Sequence, residues 1–341
     1  MVYGVILAGG RGERFWPCST RSLPKQFLPI VSDQPMIVET VERVSSLIPI
    51  DNIVIVAGKG HGDVIKDILP GAKLLLEPFG RNTACAIAYG TTGIKDDDIM
   101  VVLPADHYIP DKDLFLQTLD KAIKIAEKGW LVTFGIVPTR AETGYGYIEV
   151  GELLADDVYK AKSFKEKPNQ KQAQKFIREG KFLWNSGMFV WTRGKILSEI
   201  ETHMPEFYQE VKRFEGKEIS LDELYDRAPS ISVDYAVMEK SSNSAVVRAK
   251  FLWDDIGSWI ALERIYKSDA HGNIKMGLHK GIDTKNCIVV SDKGIITTIG
   301  TSNLVIVCSG EAVFVCDKKA IDEIKDLIYQ LGQNNDFKKY L

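Results

Sequence analysis

The sequence predicts an α/β protein: a mainly parallel sheet with helices on both faces, followed by a smaller β-rich C-terminal domain. Three observations predict it. Short apolar runs rich in β-branched residues, at 2–8, 52–57, 73–77, 99–103 and 130–137, read as strands buried on both faces. Stretches with apolar residues at helical spacing separate them. Beyond Asp269 the texture changes to short β-rich runs divided by turns, so the domains are set at 1–268 and 269–341.

The first strand ends in Gly9-Gly10-Arg11-Gly12-Glu13-Arg14, and Lys25 follows a short gap later. A Gly-rich turn after a strand lets backbone N–H groups approach an anion, and three cations surround this one. It is neither of two familiar phosphate loops. No Gly-Lys followed by Ser or Thr comes after Gly10, and Phe15 stands where a dinucleotide fingerprint needs glycine or alanine. Ile37, Val41, Val44 and Ile48 mark the next helix. Val64, Ile65, Ile68 and Leu69 mark another, closed by Pro70-Gly71. The strand at 73–77 ends in Glu77-Pro78-Phe79-Gly80-Arg81-Asn82-Thr83-Ala84, leading into a helix of small residues. The strand at 99–103 ends in Pro104-Ala105-Asp106-His107, and Phe115, Leu116, Leu119, Ile123 and Ala126 form a further helical stripe. In such sheets ligands bind beyond the carboxyl ends of the strands, which predicts that the Gly9 turn, Glu77 and Asp106 meet in one crevice.

The middle of the chain is less regular. It offers strands at 159–166 and 182–191, a helix beginning at 232–239, and a polar aromatic turn, Trp253-Asp254-Asp255-Ile256-Gly257-Ser258-Trp259, before another helix. The C-terminal runs at 287–291, 294–299, 303–308 and 311–316 are compatible with solenoid coils or with a meander. An apolar stripe, Ile321, Ile324, Leu327, Ile328 and Leu331, closes the chain as a helix. The tail residues Phe337, Tyr340 and Leu341 need a surface to dock on.

Composition excludes several classes. Lys plus Arg is 43 against 46 Asp plus Glu, so no global basic field favours nucleic acid. Five cysteines without Cys-x-x-Cys suggest neither a disulfide framework nor a zinc site, and fit a reducing cytoplasm. No apolar run is long enough to cross a bilayer. The five histidines are scattered, and no Gly-x-Ser-x-Gly elbow supports a hydrolytic triad. Two carboxylates facing bound phosphates can hold Mg²⁺, and Asp106 and Asp255, each in a turn, are the candidates. Read alone, each could equally cap a helix or satisfy its turn. Glu166-Lys167 reads alone as a surface ion pair, Asn185 as a turn cap, and Asp234 as the N-cap of its helix.

The ordered set of motifs carries more than any member. It comprises Leu7-Ala8-Gly9-Gly10-Arg11-Gly12-Glu13-Arg14-Phe15-Trp16-Pro17, Pro24-Lys25-Gln26-Phe27-Leu28, the Glu77-to-Ala84 segment, Leu103-Pro104-Ala105-Asp106-His107 and Phe164-Lys165-Glu166-Lys167-Pro168. Trp184-Asn185-Ser186-Gly187-Met188-Phe189, Ser232-Val233-Asp234-Tyr235-Ala236-Val237-Met238-Glu239 and the Trp253-to-Trp259 turn complete it. On these residues the chain resembles the sugar-1-phosphate nucleotidyltransferases. The Gly80-Arg81-Asn82-Thr83 and Pro104-Ala105-Asp106-His107 segments resemble the guanylyl branch that acts on mannose 1-phosphate.

The resemblance implies a Rossmann-like nucleotidyltransferase fold and a C-terminal domain formed as a short left-handed β-helix with a closing helix. It implies in-line attack by the phosphate of mannose 1-phosphate on the α-phosphorus of GTP, giving GDP-mannose and pyrophosphate without a covalent intermediate. The attacking oxygen already belongs to a phosphate, so positioning and charge neutralisation are the main requirements. By this analogy Leu7, Ala8, Gly9, Gly10, Arg11, Gly12, Glu77, Pro78, Arg81, Asn82, Thr83 and Ala105 bind the nucleotide. Arg14, Lys25 and Lys167 are the catalytic cations, Lys167 at the sugar phosphate. Gly146, Glu166, Asn185 and Asp234 bind the sugar, and Asp106 and Asp255 bind Mg²⁺. The implied partners are GTP and mannose 1-phosphate, with no nucleic acid or membrane, and a homodimer formed through the C-terminal region. The competing readings are transfer to another hexose 1-phosphate or from another nucleotide, and a catalytically silent sensor of GDP-mannose.

Overall fold

The computed structural model describes all 341 residues, Met1–Leu341. Contacts divide the chain into two compact units, neither of them one continuous stretch. The first joins Met1–Gly9, Val38–Ala105 and Ile109–Trp253; the second joins Gly10–Ile37, Asp106–Tyr108 and Asp254–Leu341.

The elements of the first unit begin with β1 (Val2–Leu7), α1 (Met36–Val44, whose first two residues belong to the second unit), β2 (Ile53–Gly58), α2 (Gly62–Ile68) and β3 (Lys73–Glu77). They continue with α3 (Asn82–Gly90), β4 (Ile99–Pro104), α4 (Lys112–Ala126), β5 (Leu131–Ile136), β6 (Tyr147–Ala155) and β7 (Val158–Lys165). Then come α5 (Gln170–Glu179), β8 (Phe182–Thr192), α6 (Arg193–His203), α7 (Pro205–Glu215), α8 (Leu221–Arg227) and β9 (Ser244–Arg248). The nine strands form one sheet in the order β3-β2-β1-β4-β8-β5-β9-β7-β6. Parallel pairs join β1 to β2 and β4, β2 to β3, and β5 to β9. β8 opposes β4, β5 and β6, and β7 opposes β9 and β6. Seven strands therefore share one direction, with β7 and β8 against them, so the sheet is mainly parallel.

Runs of consecutive apolar residues produce this because both faces are covered. β5 is buried at every position, and β2 and β4 at all but the last. Val5, Val54, Val56, Met100 and Val102 share one core with residues of α3, α6, α7 and α8. Their alternate neighbours Ile6, Ile55 and Val101 are equally buried, as the two-residue period of a strand requires. The helices α5 to α8 fill the stretch that looks irregular in sequence. Local chemistry does mark two of them: capping boxes pair Asn169 with Gln172 at the start of α5 and Ser220 with Glu223 at the start of α8. Residues 232–239 form only one widened turn of π type, Asp234–Met238. Val233 occupies its N-cap position and makes no side-chain cap, so Asp234 is not the cap expected from its residue type.

The second unit contains α9 (Leu262–Ile265), β10 (Ile274–Ile282), β11 (Ile288–Ile299), β12 (Leu304–Ser309), β13 (Ala312–Asp317) and α10 (Ile324–Gln333). β10 pairs in parallel with β11, and β11 with β12, while β13 returns antiparallel to β12. The connection from β10 to β11 is too short for a crossover helix, so the chain turns a solenoid corner there. The runs at 287–291 and 294–299 are one bulged strand, and β10 is a strand that the sequence reading does not contain. Ile274, Ile288, Val290, Val305, Val307 and Phe314 pack in one core with Phe15, Trp16, Trp259 and Ile321. The Trp259 indole N–H donates to the Trp16 carbonyl at 3.1 Å. The Trp16 indole N–H donates to the Tyr340 carbonyl at 2.8 Å, so the tail docks on its own chain.

Burial separates two leucines of the sheet. Leu103 of β4 is 1% exposed and Leu153 of β6 is 64% exposed. Leu103→Ala is expected to cost about 2–5 kcal/mol and Leu153→Ala less than about 0.5 kcal/mol, read from urea midpoints. Equal losses would contradict the burial assigned to these two strands.

Candidate active site

The first group of candidate residues lies at the carboxyl ends of β1, β3 and β4. Leu7 is in register with Val56 and with Pro104, and Gly58 with Glu77, so these ends share one edge of the sheet. The Ala8 N–H donates to the Val56 carbonyl at 2.8 Å and the Ala105 N–H to the Leu7 carbonyl at 3.0 Å. Leu7, Ala8 and Ala105 thus carry the ladder up to the loop. Glu77 is buried, and burial pushes its carboxyl up while a hydrogen bond from the Tyr225 hydroxyl, at 3.1 Å, opposes the shift. A Cβ on Gly9 would stand 3.0 Å from Glu77 Oε2, so a side chain there would crowd the carboxyl.

The residues after Glu77 and Pro78 tie this edge to other loops of the unit. Arg81 Nε donates to the Tyr225 carbonyl at 2.7 Å and Nη2 to the Asp226 carbonyl at 3.2 Å, while its guanidinium lies 5.0 Å from the Phe79 ring centre. Arg81 therefore caps the last turn of α8. Asn82 adopts φ +67° and its Oδ1 accepts from the Thr83 N–H at 2.8 Å. Thr83 Oγ1 accepts from the Val233 N–H at 2.9 Å, which anchors the loop leading to Asp234. Tyr225 was not found from sequence, because its partner lies on a distant strand.

The second group lies wholly within the second unit and centres on Lys25. Its side chain is 5% exposed, and its ammonium has three acceptors for its three N–H groups. They are Asp106 Oδ2 at 2.9 Å, the Asp106 carbonyl at 3.1 Å and the Asp255 carbonyl at 2.6 Å. The Phe15 ring lies 5.6 Å away on another side. Gly12 adopts φ +64°, and a Cβ there would come within 2.5 Å of Lys25 Cβ, so only glycine lets the loop fold over Lys25. Gln26 Nε2 donates to the Gly10 carbonyl at 3.0 Å and holds the same loop from the other end. Arg11 and Arg14, in contrast, extend into solvent, Arg11 with a 3.7 Å contact to Glu13.

Burial pushes the Asp106 carboxyl up. The Lys25 ammonium, His107 and its hydrogen bonds outweigh that, so Asp106 lies below the usual carboxylate range and stays ionised at neutral pH. Asp255 is presented by a braced turn. The neighbouring Asp254 is buried, accepts from the Ile256 N–H at 2.8 Å, and is gripped by both Nε and Nη2 of Arg264. Mg²⁺ is ordinarily held by one or two carboxylates with substrate phosphates and waters completing the octahedron. Asp106 reaches the Lys25 ammonium through its carboxylate and main-chain carbonyl, and Asp255 through its main-chain carbonyl, so two residues whose side chains are of the donor type Mg²⁺ takes flank one ammonium.

The third group returns to the first unit. The Asn185 N–H donates to the Gly146 carbonyl at 2.8 Å, and a Cβ on Gly146 would collide with Glu166 Oε2. Asn185 Nδ2 donates to Asp234 Oδ1 at 2.6 Å. Lys167 Nζ lies 3.3 Å from Glu166 Oε1; its side chain is 60% exposed against 13% for Glu166. Lys167 adopts φ +44°, an unusual conformation for a side chain of its size. Burial first, then the nearby Asp234 charge, pushes the Glu166 carboxyl up, with Lys167 opposing. Burial also raises Asp234, against the Asn185 hydrogen bond. This group can present carboxylate acceptors, an amide donor and one exposed cation to a polyhydroxylated phosphate. Thr133 joins it through Asn185 and was missed, although it is a hydroxyl residue inside an otherwise apolar strand.

A family model described as nucleotidyl transferase matches residues 3–272, and one described as MannoseP isomerase/GMP-like beta-helix domain matches residues 277–331. The chain belongs to the nucleotidyl transferase family. Among its relatives are proteins named mannose-1-phosphate guanylyltransferase. That of Salmonella muenchen is 37% identical, with 99% of this chain and 75% of the relative aligned, and that of Escherichia coli (strain K12) is 36% identical, with 97% and 73% aligned. A crystal structure described as mannose-1-phosphate geranyltransferase from Thermus thermophilus superposes with a TM-score of 0.91 at 36% identity, covering 97% of this chain and 99% of that one.

A raised carboxyl makes a prediction about stability. The folded-state pKa of Glu166 lies above its unfolded value, so its ionisation costs stability. That cost is fully present above the raised pKa and disappears as pH falls below the ordinary glutamate value. Glu166→Gln is expected to be more stable than the parent at pH 7, with the difference shrinking as pH falls through the acidic range. Thermal midpoints across pH 4 to 8 test this; a difference that grows on acidification would reverse the sign assigned to Glu166.

Proposed function

We propose that this chain transfers GMP from GTP to α-D-mannose 1-phosphate, giving GDP-mannose and pyrophosphate. The observation that carries the reading is the match, across nearly the whole chain, to relatives named for that activity. The residue chemistry supports it. The amides of the Gly9-to-Gly12 turn and the cations Arg11, Arg14 and Lys25 suit the triphosphate of the nucleotide. Glu77, Pro78, Arg81, Asn82, Thr83 and Ala105, with Leu7 and Ala8, are assigned to the base and ribose. Glu166, Asn185, Asp234 and the Gly146 backbone are assigned to the sugar hydroxyls, and Lys167, exposed and weakly paired, to the sugar phosphate. Asp106 and Asp255 would hold Mg²⁺, whose chemistry there is neutralisation of phosphate charge.

The mechanism asks little covalent chemistry of the chain. The nucleophile is a phosphate oxygen already ionised at neutral pH, so no side chain need remove a proton. Lys167 orients the nucleophile, and Lys25, fixed by three acceptors, keeps its charge in place without reorganising during reaction. We further propose division into catalytic and C-terminal domains at 268/269, a cytoplasmic location in keeping with five free thiols, and a homodimer formed through the C-terminal region. On β10 and β11 the paired residues Leu278 and Ile295, and Ile282 and Ile299, are 60–75% exposed. They form an apolar patch that supports the dimer proposal.

Pyrophosphate release with each pairing of GTP, ATP, UTP or dTTP with mannose or glucose 1-phosphate tests the activity. GTP with mannose 1-phosphate is expected to be fastest, to stop with EDTA and to resume with Mg²⁺. Asp255→Asn is expected to lose about a hundredfold in turnover with the fold intact. Faster turnover of UTP with glucose 1-phosphate would reject the specificity. Tight GTP binding with no pyrophosphate release from any pairing would point to a sensor.

A further inference from the structure

The Asn185 side chain could sit either way round, and the sugar group has opposite character in the two orientations. Its amide offers a nitrogen with two donors and an oxygen with two acceptor positions. Oδ1 accepts from the Thr133 hydroxyl at 3.0 Å and from the Gly187 N–H at 3.3 Å. Nδ2 donates to Asp234 Oδ1 at 2.6 Å. A flipped amide would set its oxygen against the Asp234 carboxylate and its nitrogen against the Gly187 N–H.

Thr133 lies in the middle of β5, fully buried, with apolar Val132 and Phe134 as neighbours. Its hydroxyl is also 3.0 Å from the Met188 carbonyl, so one proton serves two acceptors on β8. A hydroxyl at such a position is costly unless it is paired, and here both its acceptors lie on the segment that carries Asn185.

We propose that Thr133 is a positioning residue for the sugar subsite: its hydroxyl anchors the Asn185 amide to β5, while the Gly187 N–H, a donor only, and the Asp234 carboxylate set which end of the amide faces Asp234 and the sugar hydroxyls. The inference rests on the proposed sugar-binding role of Asn185 and Asp234. A sugar hydroxyl then meets the amide as a donor and the carboxylates of Asp234 and Glu166 as acceptors. An epimer with that hydroxyl displaced leaves buried polar groups unpaired, so the fixed amide contributes to sugar discrimination.

Steady-state kinetics on the full chain test the proposal with Thr133→Val, Thr133→Cys and Thr133→Ser. The valine variant keeps the volume and removes the donor. It is expected to raise the KM for the sugar phosphate about tenfold, leave the KM for GTP unchanged, and narrow the preference for mannose over glucose 1-phosphate. Thr133→Ser should restore the parent values, with Thr133→Cys between them. Should the valine variant fail to fold, the serine and cysteine pair decides on the same measurements. Parallel changes in both KM values, or serine performing no better than cysteine or valine, would overturn the positioning role. Asn185→Ala with an unchanged sugar KM would instead remove Asn185 from the sugar site. If the parent enzyme prefers another hexose 1-phosphate, the activity proposed above fails; the Thr133 series is then run on that sugar and judged by the same outcomes.

Discussion

One buried ammonium organises the second unit. Lys25 joins the loop from Gly10 to Ile37, the short segment Asp106–Tyr108 and the turn that carries Asp255, and those are the separate pieces of chain from which that unit is built. A buried lysine is tolerated only when its donors are matched, and here all three are. Removing the side chain would strip the partly exposed Asp106 carboxylate and the Asp255 carbonyl of their shared donor. The glycine at position 12, the depressed carboxyl of Asp106 and the bracing of Asp255 through Asp254 and Arg264 all follow from keeping that ammonium enclosed. The loop that holds it is itself rooted in the C-terminal core through Phe15 and Trp16, so the small β-rich region supports Lys25 directly.

The sugar group works by a different principle. Charges are concentrated rather than cancelled: the Asp234 charge adds to the cost of ionising Glu166, and a single exposed lysine partly offsets it. Such an arrangement costs stability on its own; in the proposed sugar-binding role, hydroxyl donors and a phosphate would offset that cost. Asn185 and Gly146 supply the geometry, Asn185 by linking the carboxylate to the sheet and Gly146 by yielding space to Glu166.

The strands β1 to β5 were legible in sequence because β-branched runs and glycine turns are local signals; β9, a short buried strand between β5 and β7, was not. The helices α5 to α8 were not. α5 buries little beyond Ala173 and is otherwise polar, so its apolar period is faint, and its capping box is the stronger mark. β10 escaped because lysines and glycines interrupt it and much of its apolar surface faces outward. Among site residues, the resemblance supplied the roles assigned to Lys25, Asp106, Asp255, Lys167, Glu166 and Asn185. Arg81 was expected at the nucleotide, and its guanidinium is engaged in capping α8. Tyr225 and Thr133 were invisible because each acts through a partner more than fifty residues away along the chain, at separations of 148 and 52. Only tertiary structure discloses such pairs.

Asp106 and Asp255, which flank Lys25, are proposed as the metal site of the reaction. Anomalous diffraction from crystals soaked with Mn²⁺ and GTP tests it most directly. One peak is expected within coordination distance of a carboxylate oxygen from each aspartate and of a nucleotide phosphate oxygen. A metal bound to phosphate with neither aspartate in contact, or a peak at other residues, would contradict it.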